Sequence, residues 1–396
     1  MMWRSYNGVK YLKKGEPVMK IEQSRMEEFA QLIKGKRNVY CFGAGVALVN
    51  FLSEFQRYQI ENEIKYIVDN SFEKQGTEMQ CNNSCISVIS PDQMLHQIVP
   101  EDVILITTAK ETEVIEQLNE QRKLKDISCY LYTILRMEQY DYERLNIKIP
   151  QTMAVYQEQR IPKVIHYCWF GKNEIPNQCR KWMESWKHYC PDYEIIEWNE
   201  DNYDVHKSLY ISQAYELGKW AFVSDYARID IIHEYGGVYL DTDVELLKNM
   251  DVMLRNDAFC GFETNKYVAY GLGFGAKRHH PIVSEIKEYY DNICFVSESG
   301  VLNQTTCPVI QTNVMKQHGL ICNGEFQFVD DMTVYPSRIL CGMSPHSFRV
   351  QRDLKYTYAI HHYASSWDDD QKWRWRKNMI LCMKKWDNSD LYFYPD

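Results

Sequence analysis

Apolar residues in the first third of the chain come in short runs, separated by stretches with a helical period. Asn38–Phe42, Lys65–Asp69, Asp102–Thr107 and Ser128–Leu131 have the length and composition of strands. Ala47–Phe55 and Glu111–Leu118 carry apolar positions at helical spacing between them. Strands alternating with helices predict a parallel sheet with crossover connections, a Rossmann-like module over residues 22–137. Residues 138–160 are charged, contain Pro150 and show no clear period, so they read as a linker. From Ile161 the alternation resumes, and a second α/β domain is expected over 161–390.

Within that second domain the segment Ser224–Glu245 stands out. Ala227, Ile231 and Tyr235 form an i, i+4, i+8 apolar stripe, and Asp225 and Arg228 lie one turn apart on an adjoining face. Gly236-Gly237 stops the predicted helix. Val238-Tyr239-Leu240 then reads as a short buried strand running into Asp241-Thr242-Asp243. In extended chain, residues i and i+2 point to the same side, roughly 7 Å apart. Asp241 and Asp243 can therefore serve one charged site. Their oxygens suit a hard divalent cation, Mn²⁺ or Mg²⁺, which can neutralise a diphosphate leaving group.

A DxD by itself is common at solvated strand ends. After an apolar strand it also opens phosphatases of the haloacid-dehalogenase type, but those want Thr or Val where this chain has Glu245. Ser-Asp-x-x-Arg, Gly-Gly-x-Tyr and Asp-x-Asp together, within some twenty residues, are far more specific and mark an active site.

The first module offers a second candidate. Gly43-x-Gly45 follows its first strand and Asp69 ends the next, the layout of a dinucleotide-binding turn, with Leu48 at the third glycine position. Two readings stay open: a nucleotide site at Gly43, Gly45 and Asp69, or a structural or regulatory module.

Composition narrows the classes. Hydrophobic residues make up 45% and charged residues 25% of the 396, as in an ordinary globular protein. A net charge of −9 argues against nucleic-acid binding. The 29 Tyr and 10 Trp suit stacking on sugars and bases, or aromatic-rich packing. The 13 cysteines are odd in number and scattered; only Cys81 and Cys85 sit close together. They read as free thiols of a reducing compartment. The first twenty residues hold no leader-like apolar run, and no apolar stretch reaches membrane length, so a cytoplasmic protein is expected. Lys372–Trp386 is basic and aromatic, which fits either a helix lying on an anionic membrane surface or one packed on the sheet.

The segment around the DxD resembles the DXD sugar-binding family of glycosyltransferases, which includes capsular polysaccharide transferases and fungal mannosyltransferases. Ile161–Gly171 (IPKVIHYCWFG), Trp186–Asn199 and His361–Trp367 (HHYASSW) extend the resemblance in the family's order. It implies a GT-A fold, a nucleotide-diphosphate-sugar donor (a UDP-sugar favoured over a GDP-sugar), a divalent metal and retention of configuration. Carried over residue by residue, Asp243 and His362 would ligate the metal, and Asp241 would contact ribose and sugar. Trp169 and Tyr239 would flank the base, and Asp225 and Arg228 would hold the sugar. Ser365 would support metal or phosphate, and Trp367 would cover the diphosphate.

Gly271–Lys277 (GLGFGAK) sits where relatives place a loop near the acceptor. No carboxylate nucleophile stands at a motif position, so retention would proceed by leaving-group-assisted substitution through an oxocarbenium-like state. The acceptor expected is a surface glycan or lipid-linked saccharide, such as capsule or O-antigen. A protein acceptor and a catalytically inactive nucleotide-sugar-binding scaffold are the alternatives.

Overall fold

A computed structural model describes residues 20–35 and 37–364, which divide into two units between Tyr140 and Asp141. The first unit is built on a seven-stranded sheet in the order Lys20–Ile21, Ser128–Leu131, Val103–Ile106, Val39–Phe42, Ile64–Val68, Ser84–Ile89, Glu78–Cys81. Every pairing is parallel except the last, a hairpin. Val39–Phe42 and Val103–Ile106 are buried at every position, as strands covered on both faces must be. The four strands expected from the sequence are present to within a residue at each end. The hairpin Glu78–Cys81/Ser84–Ile89 was not expected, because its edge strand buries only Cys81 and so carries little apolar pattern. It sets Cys81 opposite Ser84 and Cys85 opposite Gln80, and the cysteines of the described residues are all free.

The expected linker begins as helix. Tyr132–Leu145 is one α-helix that runs through the first third of residues 138–160. It anchors itself in part through polar groups: buried Asp141 accepts a hydrogen bond from the Ser347 hydroxyl, and buried Arg144 donates to the carbonyl of Cys341. A buried face made of such groups leaves no apolar period to read.

The second unit has the mixed α/β architecture that the resemblance implied. Its sheet runs Gln327–Val329, Met332–Tyr335, Ala258–Thr264, Phe274–Ala276, Gly237–Tyr239, Val164–Cys168, Glu194–Trp198. Gly237–Tyr239 is parallel to Val164–Cys168 and antiparallel to Phe274–Ala276. Helix Trp220–Tyr235 leads into it, packed against helices Leu209–Glu216 and Pro281–Asp291. Ala227 and Ile231 of the expected stripe are buried, but Tyr235 is 53% exposed. With neighbours around it the helix buries every residue from Asp225 to Ile232, rather than one stripe. Among the described residues no helix is long and apolar enough to cross a membrane.

The reversal from helix to central strand depends on two glycines. Gly236 and Gly237 have φ of 65° and 102°, a region that side chains disfavour. A β-carbon on Gly237 would also stand 2.8 Å from the Val164 carbonyl oxygen and 2.9 Å from Nε2 of His166. Trp198 donates through Nε1 to Nδ1 of His166 (3.0 Å), so the imidazole hydrogen sits on Nε2 and is donated to the Gly236 carbonyl at 2.9 Å. Burial pushes this histidine down to about 4. An unfolded histidine titrates near ~6.5, so the stability His166 contributes is complete above that pH and is lost as pH falls toward its folded value, up to about 3 kcal/mol. Denaturant titrations of the whole chain from pH 7 to pH 4 should show that loss, shared with His280, which burial also pushes down to about 4. His166→Gln should flatten its part of the slope; an unchanged slope would remove His166 from the account.

Candidate functional site

The central strand ends at Tyr239, and the chain then turns. The Val244 amide donates to the Asp241 carbonyl at 3.0 Å, closing a turn over Asp241–Val244. This corrects the expectation of an extended DxD: the two carboxylates converge because the backbone curls, not because of strand alternation. After the turn, Val244–Leu246 pairs antiparallel with Ala359–His361, with Val244 opposite His361. That pairing carries the closing segment up to the aspartates. One carboxylate oxygen each of Asp241 and Asp243 and a ring nitrogen of His361 lie within 4.8 Å of one another. His361 Nε2 is 3.1 Å from Asp243 Oδ1 and 3.9 Å from Asp241 Oδ2.

The structure therefore sets His361, not the expected His362, beside the DxD. The His362 ring stacks on Trp182 with centroids 4.1 Å apart and planes 6° from parallel, and its Nε2 lies 2.9 Å from Glu245. Adjacent residues of an extended chain face opposite sides, so only one of the pair can reach the site. The register with Val244 selects it.

Burial penalises charge at both aspartates, and their neighbours decide the balance. At Asp243 burial is outweighed by the charge and hydrogen bond of His361 and by the Ala364 amide (2.8 Å), so its pKa is lowered to about 2. At Asp241 burial prevails over the attraction of Arg228, and Asp243 adds repulsion, so its pKa is raised. His361 is raised in turn: burial works against its charge, but the Asp243 carboxylate overcomes it.

Arg228 joins the motif into one network. Its Nη1 is 3.1 Å from Asp225 Oδ1, its Nη2 is 3.1 Å from Asp241 Oδ1, and its guanidinium lies over the Tyr239 ring at 5.1 Å. The Tyr239 hydroxyl donates to the same Asp241 oxygen at 3.0 Å. Tyr239, expected to stack on a nucleotide base, is buried to 1% exposure with its ring covered by protein; it braces Asp241 instead. Trp169 is half-buried in the loop after Val164–Cys168 and donates through Nε1 to the Asn173 carbonyl. Ser365, Trp367 and Lys372–Trp386 lie outside the described residues.

Two further residues belong to the network. Gly271, the first glycine of GLGFGAK, accepts the Asp241 amide at 3.3 Å, and a β-carbon there would stand 2.2 Å from Asp241 Oδ2. The loop thus abuts the DxD, and only the absence of a side chain permits it. Cys307, at the start of helix Cys307–Gln317, takes a hydrogen bond from Arg228 Nη1 at 3.5 Å. A lone cysteine some eighty residues downstream carries no sequence signature that would have singled it out.

In the first unit, the glycine turn is closed by its own residues. Asp69 accepts from the amides of Ala44 and Ser71, both at 2.8 Å, and from Lys74 Nζ at 3.1 Å, while Lys74 also donates to the Ala44 carbonyl. Gly43 has φ of 122°, and a β-carbon there would stand 3.0 Å from the Thr107 carbonyl oxygen. Gly43 and Asp69 therefore have structural work that needs no nucleotide, while Gly45 has open space around it and serves as the N-cap of helix Val46–Glu54.

Removing Arg228 would leave the buried carboxylate of Asp225 and the partly buried one of Asp241 without their cation. Arg228→Leu should lower stability by about 3–5 kcal/mol at pH 7 in denaturant titrations. The deficit should shrink as pH falls, because the unpaired carboxylates then take up protons in the folded state. A deficit that does not change with pH would assign the loss to packing alone.

Residues 176–260 match the family model described as a glycosyltransferase sugar-binding region containing a DXD motif. Inositol phosphoceramide mannosyltransferase 1 of Schizosaccharomyces pombe is 29% identical over 143 residues, 33% of this chain and 43% of that protein. Mannosyl phosphorylinositol ceramide synthase SUR1 of Saccharomyces cerevisiae is 24% identical over 217 residues, 50% of this chain and 56% of that protein. The match to these curated relatives thus spans only about half of their length. The solved structure described as PaToxG Glycosyltransferase aligns over 47% of this chain and 76% of its own, with a TM-score of 0.32 and 16% identity. Residues 176–260, which hold the helix bearing Asp225 and Arg228 and the turn bearing Asp241 and Asp243, are thus similar to the DXD-containing sugar-binding region of glycosyltransferases.

Proposed function

We propose that this chain is a metal-dependent glycosyltransferase moving a hexosyl group from a nucleotide-diphosphate sugar to a saccharide or lipid-linked saccharide acceptor, with retention of configuration. The observation that carries this reading is the convergence of Asp241, Asp243 and His361 on one point, the two aspartates lying in a segment that matches a sugar-binding region. Two carboxylates and one imidazole form a donor set that suits Mn²⁺ better than Mg²⁺. The ligands assigned are Asp243 and His361, with Asp241 beside them. A divalent cation there would neutralise the charge that develops on the diphosphate as the sugar–oxygen bond breaks.

The remaining roles fall to the chain's own side chains. Arg228 and Tyr239 hold the Asp241 carboxylate in a single orientation, which preorganises the site for the incoming charge. Arg228, whose buried Nε finds no acceptor among the described residues, is assigned to the sugar hydroxyls through its guanidinium. Asp225, paired to the same guanidinium, supplies a carboxylate acceptor next to it. Trp169 is assigned to the base, since Tyr239 is covered. The relatives named as mannosyltransferases bring mannose into the donor class alongside other hexoses. The free cysteines support a reducing, cytoplasmic setting. The surface-glycan acceptor remains the one we favour.

Donor hydrolysis with Mn²⁺ across UDP- and GDP-hexoses, GDP-mannose included, should show turnover of one donor. Asp243→Ala and His361→Ala should each lower it by about 100-fold or more, whereas His362→Ala, which removes a flanking group only, should cost no more than about tenfold. The opposite ranking of the two histidines would return ligation to His362. Gly271→Ala should also depress turnover, by driving Asp241 off its position. Folded wild-type protein that binds a donor and never turns it over would support a nucleotide-sugar-binding scaffold instead.

A further inference from the structure

At the other end of the central strand, a second group of possible ligands comes together. His233 and Glu234 close helix Trp220–Tyr235 just before the strand, and His279 follows strand Phe274–Ala276, whose Ala276 pairs with Gly237. From Gly237 to Asp241 the chain covers roughly 13 Å of extended backbone, so this group is separate from the DxD. We infer that His233 and His279 form a binding site for a borderline divalent transition metal such as Zn²⁺ or Cu²⁺, with Glu234 as the carboxylate that orients His233.

The geometry is specific. His233 Nε2 and His279 Nδ1 face each other at 3.4 Å. Two nitrogens bound to one zinc at 2.0–2.1 Å in tetrahedral geometry lie roughly 3.4 Å apart. Glu234 Oε1 lies 2.9 Å from His233 Nδ1. A carboxylate accepts only, so Nδ1 carries the hydrogen and the Nε2 lone pair is aimed at His279. A histidine held by a carboxylate at its second nitrogen is the arrangement that orients metal-bound imidazoles in proteins.

The approach of the two rings is also built in. The His279 amide donates to the His233 carbonyl at 2.9 Å, and His279 adopts φ of 56°, a left-handed conformation that a non-glycine residue seldom takes. Arg278 donates through Nε to the Glu234 carbonyl, closing the same corner. Without metal, a single proton bridges the two imidazoles; a cation replaces it, and the proton leaves to solvent. Imidazole nitrogens favour zinc or copper over the oxygen-seeking cations suited to the DxD. Bound there, the metal ties the end of the helix that carries Asp225 and Arg228 to the loop after Phe274–Ala276.

The test is a titration of the untagged full chain with Zn²⁺ alone, in competition with a chromophoric chelator. Asp243→Asn serves as the background in which the DxD is disabled. Wild type and Asp243→Asn should both take up a zinc equivalent that is lost in His279→Gly, a change suited to the backbone conformation at that position and checked for folding by circular dichroism. Glu234→Gln should weaken uptake of that equivalent by about 10–100-fold. Cu²⁺ bound to Asp243→Asn should give an electron paramagnetic resonance spectrum with hyperfine structure from two nitrogens. Zinc titrations of Asp243→Asn with and without His279→Gly that superimpose, or a copper spectrum that His279→Gly leaves unchanged, would overturn the site and leave a hydrogen-bonded histidine pair.

Discussion

Two carboxylates held close together and partly out of water repel each other, and the second unit is arranged around that constraint. Asp241 is tolerable in its partly buried turn because Arg228 lies against one oxygen and the Tyr239 hydroxyl donates to the same atom. Asp243 is tolerable because His361 and the Ala364 amide face it. Those partners come from three different elements: a helix, a strand and the closing segment. The site is therefore only as well formed as the packing that brings the three together.

That dependence explains features remote from the aspartates. Arg228 can reach Asp241 because the helix before it reverses into the central strand through Gly236 and Gly237 within two residues. His166 and Trp198 pin that reversal from the neighbouring strands. On the far side, Gly271 lets the next loop lie directly on Asp241, so the carboxylate is confined from behind as well as held from the front. Such confinement serves the proposed transfer, since a carboxylate that need not reorganise when charge develops is worth more than a mobile one.

The two glycine-rich turns of the chain make an instructive contrast. In the first unit, Asp69 and Lys74 satisfy the turn from within, and the carboxylate that could hold a ribose is occupied by backbone amides. In the second, the carboxylates after Gly236-Gly237 converge on one another and are offset by Arg228 and His361, with one hydrogen bond each from the Tyr239 hydroxyl and the Ala364 amide. A turn that consumes its own polar groups is architecture; one that concentrates like charge is prepared for a ligand.

Much of this was legible in the residues alone. The four strands expected in the first unit, and the step from helix to strand at Gly236-Gly237 in the second, follow from apolar periodicity, which records burial directly. The DxD, Asp225 and Arg228 were legible because three short motifs crowd into some twenty residues. What remained hidden has a common cause: it depends on contacts between segments far apart in the chain. The choice of His361 over His362 follows from the pairing of Val244 with His361 across more than a hundred residues. The bracing role of Tyr239 follows from its complete burial, and the place of Cys307 from the packing of its helix beside Arg228. The helix through residues 138–145 was hidden because the side chains it buries there, Gln139, Asp141 and Arg144, are polar. The sequence by itself thus singled out Asp225, Arg228, Asp241 and Asp243 as candidates for the chemistry, since that depends on local composition and spacing. Tertiary structure alone decided which way each of them points, because orientation is set by register and packing, and neither is written in any single segment.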